Sequence, residues 1–261
     1  MALKLWEEKY LNTKEINDLV HDSFTHETNN IAYLKSHRDW VEENKFGFGE
    51  RAFHYMWVLI LDDINNCFGK INACEIGVYK GQIISLWSLI AKNCNYAIDI
   101  TAISPFEGNV LPVSKISRKI KQLISKKFRN DLTSANFYGD ANYSQLCTNI
   151  FEKFSCNFEE VTKLVGYSTD PDIIAQSKNH RFNILYIDGD HSFDVSRSDV
   201  ENYAPLVVPN GILVMDDASM DLEMSAPYKG LPGPSKSAKL LSEMGFENIL
   251  NVNHNRVFRK L

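Results

Sequence analysis

The sequence has no CxxC pair, no apolar run near membrane-spanning length, no proline- or glycine-rich linker and no excess of positive charge. Its five cysteines, Cys67, Cys74, Cys94, Cys147 and Cys156, are odd in number and widely spaced, which fits reduced, mostly buried thiols better than a zinc ribbon or a disulfide framework. The longest apolar run, Tyr55 to Leu61, falls well short of the roughly 20 residues that a bilayer crossing needs. The opening MALKLWEEKYL carries charges where an export signal needs an apolar core, so the expected compartment is the cytoplasm, with no membrane partner. A formal net charge of -5 lacks the Lys and Arg surplus that neutralises phosphates, which argues against nucleic acid as a partner.

What is present is 44% apolar residues, enough for a large core. The first seventy residues lack strand-like alternation, and Phe53, Met56, Trp57, Ile60 and Leu61 recur at helical spacing before Asp62 and Asp63. Residues 1–68 read as a helical cap, whose apolar content also suggests a homo-oligomer. From Ile71 the pattern becomes short apolar runs ending in Gly, Ser or Asp with helical stretches between them, the mark of a parallel α/β sheet. The runs are INACEIG, ITAIS, VTKLVG, FNILYIDGD and GILVMDD, the last fed by an Asn210-Gly211 turn. FENILNVNHNRVFRKL alternates around Val252, His254 and Val257 as a terminal hairpin would.

Residues 107–160 form an insertion too long for an ordinary strand-to-helix connection. Within it Ile116, Ile120, Leu123, Ile124 and Phe128 mark one apolar helical face, and Lys115, Arg118, Lys119, Lys126 and Arg129 make the other side basic. That side is either a solvated face or an arm that meets an anionic substrate group such as a nucleotide diphosphate.

Chemistry concentrates at strand ends. Glu75 to Gly81, EIGVYKG, sets an acid at the end of a strand, then a glycine turn, then a helix whose N-terminus attracts anions. It does not match the GxGxxG dinucleotide fingerprint, which speaks against a nicotinamide oxidoreductase. Two later strand ends, LYIDGDHS and LVMDDAS, supply Asp188, Asp190 and His191, and Asp216 and Asp217. In a parallel sheet both fall at the carboxyl edge, where ligands bind. Two like charges at about 4 Å cost on the order of 4 kcal/mol at an effective dielectric of 20. Turn chemistry explains single aspartates there, but a cluster needs compensation, and a hard divalent cation such as Mg²⁺ provides it. His191 could take a proton from a hydroxyl in the same cleft, or serve as a hydrogen-bonded structural residue.

The order of these motifs resembles the class I S-adenosylmethionine-dependent methyltransferases, and more narrowly the macrocin O-methyltransferase-like sugar enzymes, from about Gly47 to the C-terminus. EIGVYKG, ISPFEG, LVGYSTDP, YIDGDHSF and VMDDAS look like five successive strand-end motifs of that fold. The resemblance implies a Rossmann-like, mostly parallel sheet with an antiparallel C-terminal hairpin over residues 69–261. It implies S-adenosylmethionine beside Glu75, Gly77, Tyr79 and Gly81, with Ser168 near the adenine. Asp188, Asp216 and Asp217 match the metal ligands, and His191 matches the general base that acts with Asp188. Where most class I enzymes carry an acid that grips the ribose, this chain has Ser104, with Asp99 and Glu107 as the neighbouring acids. The implied activity is O-methylation of a sugar, expected to be nucleotide-linked, in polysaccharide or natural-product biosynthesis. A metal-assisted hydrolase and an idle methyltransferase-fold binding module are the competing readings.

Overall fold

The computed structural model describes residues 2–108, 111–133 and 142–261. Among them, seven strands build one sheet: β1 (Ile71–Ile76), β2 (Ile98–Ser104), β3 (Thr162–Val165), β4 (Phe182–Ile187), β5 (Val207–Met215), β6 (Phe246–Val252) and β7 (Asn255–Lys260). They lie in the order β3-β2-β1-β4-β5-β7-β6; the first five run parallel, and β7 is antiparallel to both its neighbours.

Every residue of β4 is buried, and a strand apolar on both faces requires a layer of helix on each side. The two-residue period divides the sheet accordingly. Ala73, Ile184, Tyr186, Ile212 and Val214 enter one hydrophobic cluster, while Cys74, Ile76, Leu185, Ile187, Leu213 and Met215 enter the other.

The first cluster is covered by α1 (Leu3–Glu7), α2 (Lys14–Asn30), α3 (Ala32–Asn44), α4 (Ala52–Phe68) and α5 (Gln82–Cys94). Thr13 Oγ1 caps α2 by accepting from Ile16 N, and Gly69, at φ +70°, ends α4 in the left-handed region that glycine tolerates. Trp57 of α4 meets Trp87 of α5 edge to face at 4.9 Å, both fully buried. The apolar side of α4 packs on this protein's own sheet. Arg259 of β7 fastens α1 with a bidentate pair to Glu7 at 2.8 and 2.9 Å, and reaches Asp63 of α4 at 3.0 Å.

Two histidines sit inside this layer. His37 Nδ1 lies 2.9 Å from His54 Nε2, and His37 Nε2 lies 3.1 Å from Ser85 Oγ. Burial holds His37 down at about 3 and His54 well below its ordinary value. Both rings are therefore neutral when folded and take up protons on unfolding. Their contribution weakens as pH falls below the unfolded value of about 6.5, by about 1.4 kcal/mol per pH unit for each ring. Imidazole nitrogen shifts at about pH 5 are expected to be those of neutral rings; a protonated signal from either residue there would contradict this packing.

The insertion holds α6 (Lys115–Ile124), α7 (Lys126–Thr133) and α8 (Tyr143–Lys153), and the second cluster is covered by α9 (Pro171–Ser177), α10 (Phe193–Tyr203), α11 (Pro232–Ala238) and α12 (Leu240–Glu243). Several expectations change. The helix expected through Phe128 breaks at Ser125, whose backbone is extended. Of its apolar face only Phe128 is buried; Ile116, Ile120, Leu123 and Ile124 face outwards. Asn210-Gly211 lies inside β5, where Asn210 has φ +63° and the pairing with β4 shifts register, so it is an irregularity within the strand and not a turn before it. The hairpin forms, but His254 occupies its turn. Of the five free cysteines, Cys74 and Cys147 are buried, Cys67 is exposed and the other two are half-buried. Among the described residues no helix is long and apolar enough to cross a membrane.

Candidate active site

Strand register puts the motif residues in one row. Ile76 pairs with Ile103 and with Ile187, and Ile187 pairs with Met215. The next residues, Gly77, Ser104, Asp188 and Asp216, therefore step across the carboxyl edge of β2, β1, β4 and β5 together. Backbone bonds hold the row: Gly77 N donates to Ile103 O, Asp188 N to Ile76 O and Asp216 N to Ile187 O, all at 2.9–3.0 Å.

On the β1 side, Glu75 is buried and its Oε2 has no hydrogen-bond partner. Desolvation pushes its carboxyl well above the usual range, the nearby Asp216 adds to the effect, and the backbone N–H of Ile84 partly offsets it. An orphaned buried carboxylate at a strand end suits a cationic or hydrogen-bond-donating ligand group. Gly77 has φ +91°, and a Cβ there would lie 1.9 Å from the carbonyl oxygen of Asp188. Only glycine lets β1 and β4 approach this closely. Tyr79, also left-handed at φ +48°, stacks on Phe48 at 5.5 Å, and Gly81, at φ +84°, caps α5.

Ser104 ends β2 and is buried, its Oγ accepting from Phe106 N at 3.4 Å. Asp99 pairs in register with Asn72 and with the Lys70 ammonium at 2.6 Å, at the opposite end of β2. Five residues of strand separate it from Ser104 by about 16 Å, which removes it as a ribose contact. Glu107 is exposed beyond the strand end. The Ser168 carbonyl accepts from Tyr203 Oη at 2.7 Å; nearby, buried Asp199 is pushed up to about 7 by desolvation despite its contact with Ser168.

On the β4 and β5 side the carboxylates converge. His191 Nε2 lies 3.7 Å from Asp188 Oδ1 and 3.6 Å from Asp217 Oδ2, buried and without a hydrogen-bond partner. Asp216 Oδ1 accepts from Asn255 Nδ2 at 2.9 Å and lies 3.5 Å from His254 Nε2. Asp217 holds φ +53° and accepts from Tyr228 Oη at 2.9 Å. Desolvation raises the carboxyl of Asp188 well above its usual range, reinforced by Asp217 and Glu75; Asp216 is raised likewise, reinforced by Asp188. Asp190 Oδ1 accepts from Ser192 N at 2.7 Å at the start of α10.

The donors form two overlapping groups, Asp188–His191–Asp216 and Asp216–Asp217–His254, each with ligand atoms within 4.8 Å of one another. Carboxylates that raise one another's proton affinity make a donor set that a hard divalent cation fits. His254, Tyr228 and Asn255 escaped the sequence reading. The available signal was topological: a strand antiparallel to β5 must begin beside its carboxyl end, which places the preceding turn at the site.

The family described as Methyltransferase domain matches residues 74–218, more than half of the chain, and the chain belongs to it. No curated protein matches the sequence. Among solved structures, SAH-bound methyltransferase PaMTH1 of Podospora anserina has a TM-score of 0.55 at 14% identity, covering 94% of this chain and 97% of that one. The O-methyltransferase NovP gives 0.54 at 14% identity, over 79% of this chain and 78% of its own. CalS11, a TDP-rhamnose 3'-O-methyltransferase of calicheamicin biosynthesis, gives 0.51 at 12%, over 92% of each chain. At such identities the likeness is one of fold: the sheet is that of a class I methyltransferase.

Proposed function

We propose that the chain transfers the methyl group of S-adenosylmethionine to a hydroxyl of a sugar, a nucleotide-linked one, with a divalent cation held by Asp188, Asp216 and Asp217. The observation that carries the reading is the single row that sets the Glu75–Gly81 turn against the acidic centre. Residues of that turn would hold the cofactor and the carboxylates would face the acceptor hydroxyl. Glu75 and Gly77 would hold the methionine moiety, Tyr79 and Gly81 the same turn, Ser104 the ribose side and Ser168 the adenine side. A bound cation supplies Lewis acidity that makes a coordinated hydroxyl easier to deprotonate. His191 Nε2, without a hydrogen-bond partner between Asp188 and Asp217, would take the proton of the acceptor hydroxyl. The bound cofactor would supply a methyl group on a sulfonium leaving group, so no covalent enzyme intermediate would be required. Residues 1–68 act as a cap, with Phe53 against His254 at 4.7 Å.

The test is methyl transfer from labelled S-adenosylmethionine to a panel of nucleotide sugars, with Mg²⁺ and with a chelator. Transfer that stops on chelation supports the reading, and undiminished transfer in chelator removes the cation from it. His191→Ala is expected to lower turnover by about 10²-fold or more, as for a lost general base, with S-adenosylhomocysteine affinity unchanged. Normal turnover at neutral pH would reassign the ring to a structural role.

A further inference from the structure

The outward side of α6 has no counterpart in the chemistry above. Val113, Ile116, Ile120, Leu123 and Ile124 are 51–90% exposed. From Ile116 to Ile124 they recur at i, i+4, i+7 and i+8, one face of a helix none of whose residues is buried. The remaining arc carries Lys115, Arg118, Lys119 and Lys121, and Lys126, Lys127 and Arg129 follow in α7. No Asp or Glu occurs between Gly108 and Asn130, in a chain whose net charge is -5. The arm is anchored: Phe128 is buried, Lys127 Nζ lies 4.1 Å from the Tyr167 ring centroid, and Lys126 lies 3.5 Å from Asp194. Tyr167 and Asp194 neighbour Ser168 and His191, so the arm stands at the rim of the cleft with its apolar face outwards.

We propose that α6 is an interfacial helix that seats this protein on an anionic lipid surface. A short helix with aliphatic residues on one face and lysine and arginine on the other fits the boundary between headgroups and acyl chains. There the Ile and Leu side chains leave water while the cations meet lipid phosphates. A second copy of the chain fits less well. A two-fold contact would set two copies of a cation-rich helix that carries no acid of its own against each other. A dissolved polyanion would pair the lysines and leave the aliphatic face in water. That no helix among the described residues is long and apolar enough to cross a membrane does not bear on a helix that lies in the plane of the surface.

The test is co-flotation of the full chain with vesicles of phosphatidylcholine alone and of phosphatidylcholine with phosphatidylglycerol, at low and high salt. Binding is expected to the anionic vesicles only, weakened by salt. Leu123→Asp and the pair Lys115→Glu/Lys119→Glu should each reduce it by about tenfold or more. All these positions are exposed, and unchanged circular dichroism and S-adenosylhomocysteine affinity would show that the variants fold. Failure of the unaltered protein to float with anionic vesicles at low salt would overturn the proposal. So would equal binding by the variants. A dimer in light scattering that Leu123→Asp dissolves, without lipid binding, would instead assign the face to contacts between copies.

Discussion

Asp188→Asn is expected to abolish methyl transfer, by on the order of 10³-fold or more, while leaving the protein folded. The magnitude follows from several kcal/mol of charge stabilisation that a carboxylate-held cation contributes to such reactions. The substitution keeps the side chain's shape and removes one of the mutually repelling charges around Asp216 and Asp217. The sign of the stability change follows from the raised carboxyl. A folded-state proton affinity above the unfolded one means that ionised Asp188 disfavours the metal-free fold at neutral pH, and that this penalty fades as pH falls. The metal-free variant should therefore melt at the same temperature as the unaltered protein or higher. Added Mg²⁺ should raise the melting temperature of the unaltered protein and have much less effect on the variant. Near-normal turnover by the variant would remove Asp188 from the chemistry.

Gly77→Ala should have the largest structural effect of any single methyl group in the site. The residue sits at φ +91°, and the added carbon would lie 1.9 Å from the Asp188 carbonyl oxygen, a backbone atom that a rotamer change cannot move. A left-handed conformation costs an L-residue about 1–2 kcal/mol and overpacking about 1–3 kcal/mol, so a loss of about 2–5 kcal/mol is expected. Because the strain separates β1 from β4, S-adenosylhomocysteine binding should be lost with it. Denaturant unfolding and calorimetry check both parts. Gly69→Ala gives the contrast: it shares the left-handed backbone, at φ +70°, but has open space around the position, so it should show the smaller cost of the backbone alone.

The parallel sheet was legible because its central strands, β1, β4 and the second half of β5, are buried apolar runs that stop on Gly or Asp, and the carboxyl-edge rule then places Glu75, Asp188, Asp216 and Asp217 on one rim. Other features depend on three-dimensional packing. Asp99 looked available to the ribose until the pairing of β1 and β2 put it at the far end of the strand. His254 reads as one more residue of an alternating strand, and only the antiparallel placement of β7 beside β5 brings it to Asp216. The apolar face of α6 has the periodicity of a buried helix, but periodicity does not say what covers it. Residues 109–110 and 134–141 of the insertion lie outside the described residues.

The most direct test of the central claim, that the Glu75–Gly81 turn and the acidic centre form one methyl-transfer site, is calorimetric titration with S-adenosylhomocysteine, once with Mg²⁺ and once with a chelator. Binding at micromolar concentration that shifts on chelation is the expected result. Absence of binding in both titrations would contradict the account and move the acidic centre towards metal-assisted hydrolysis.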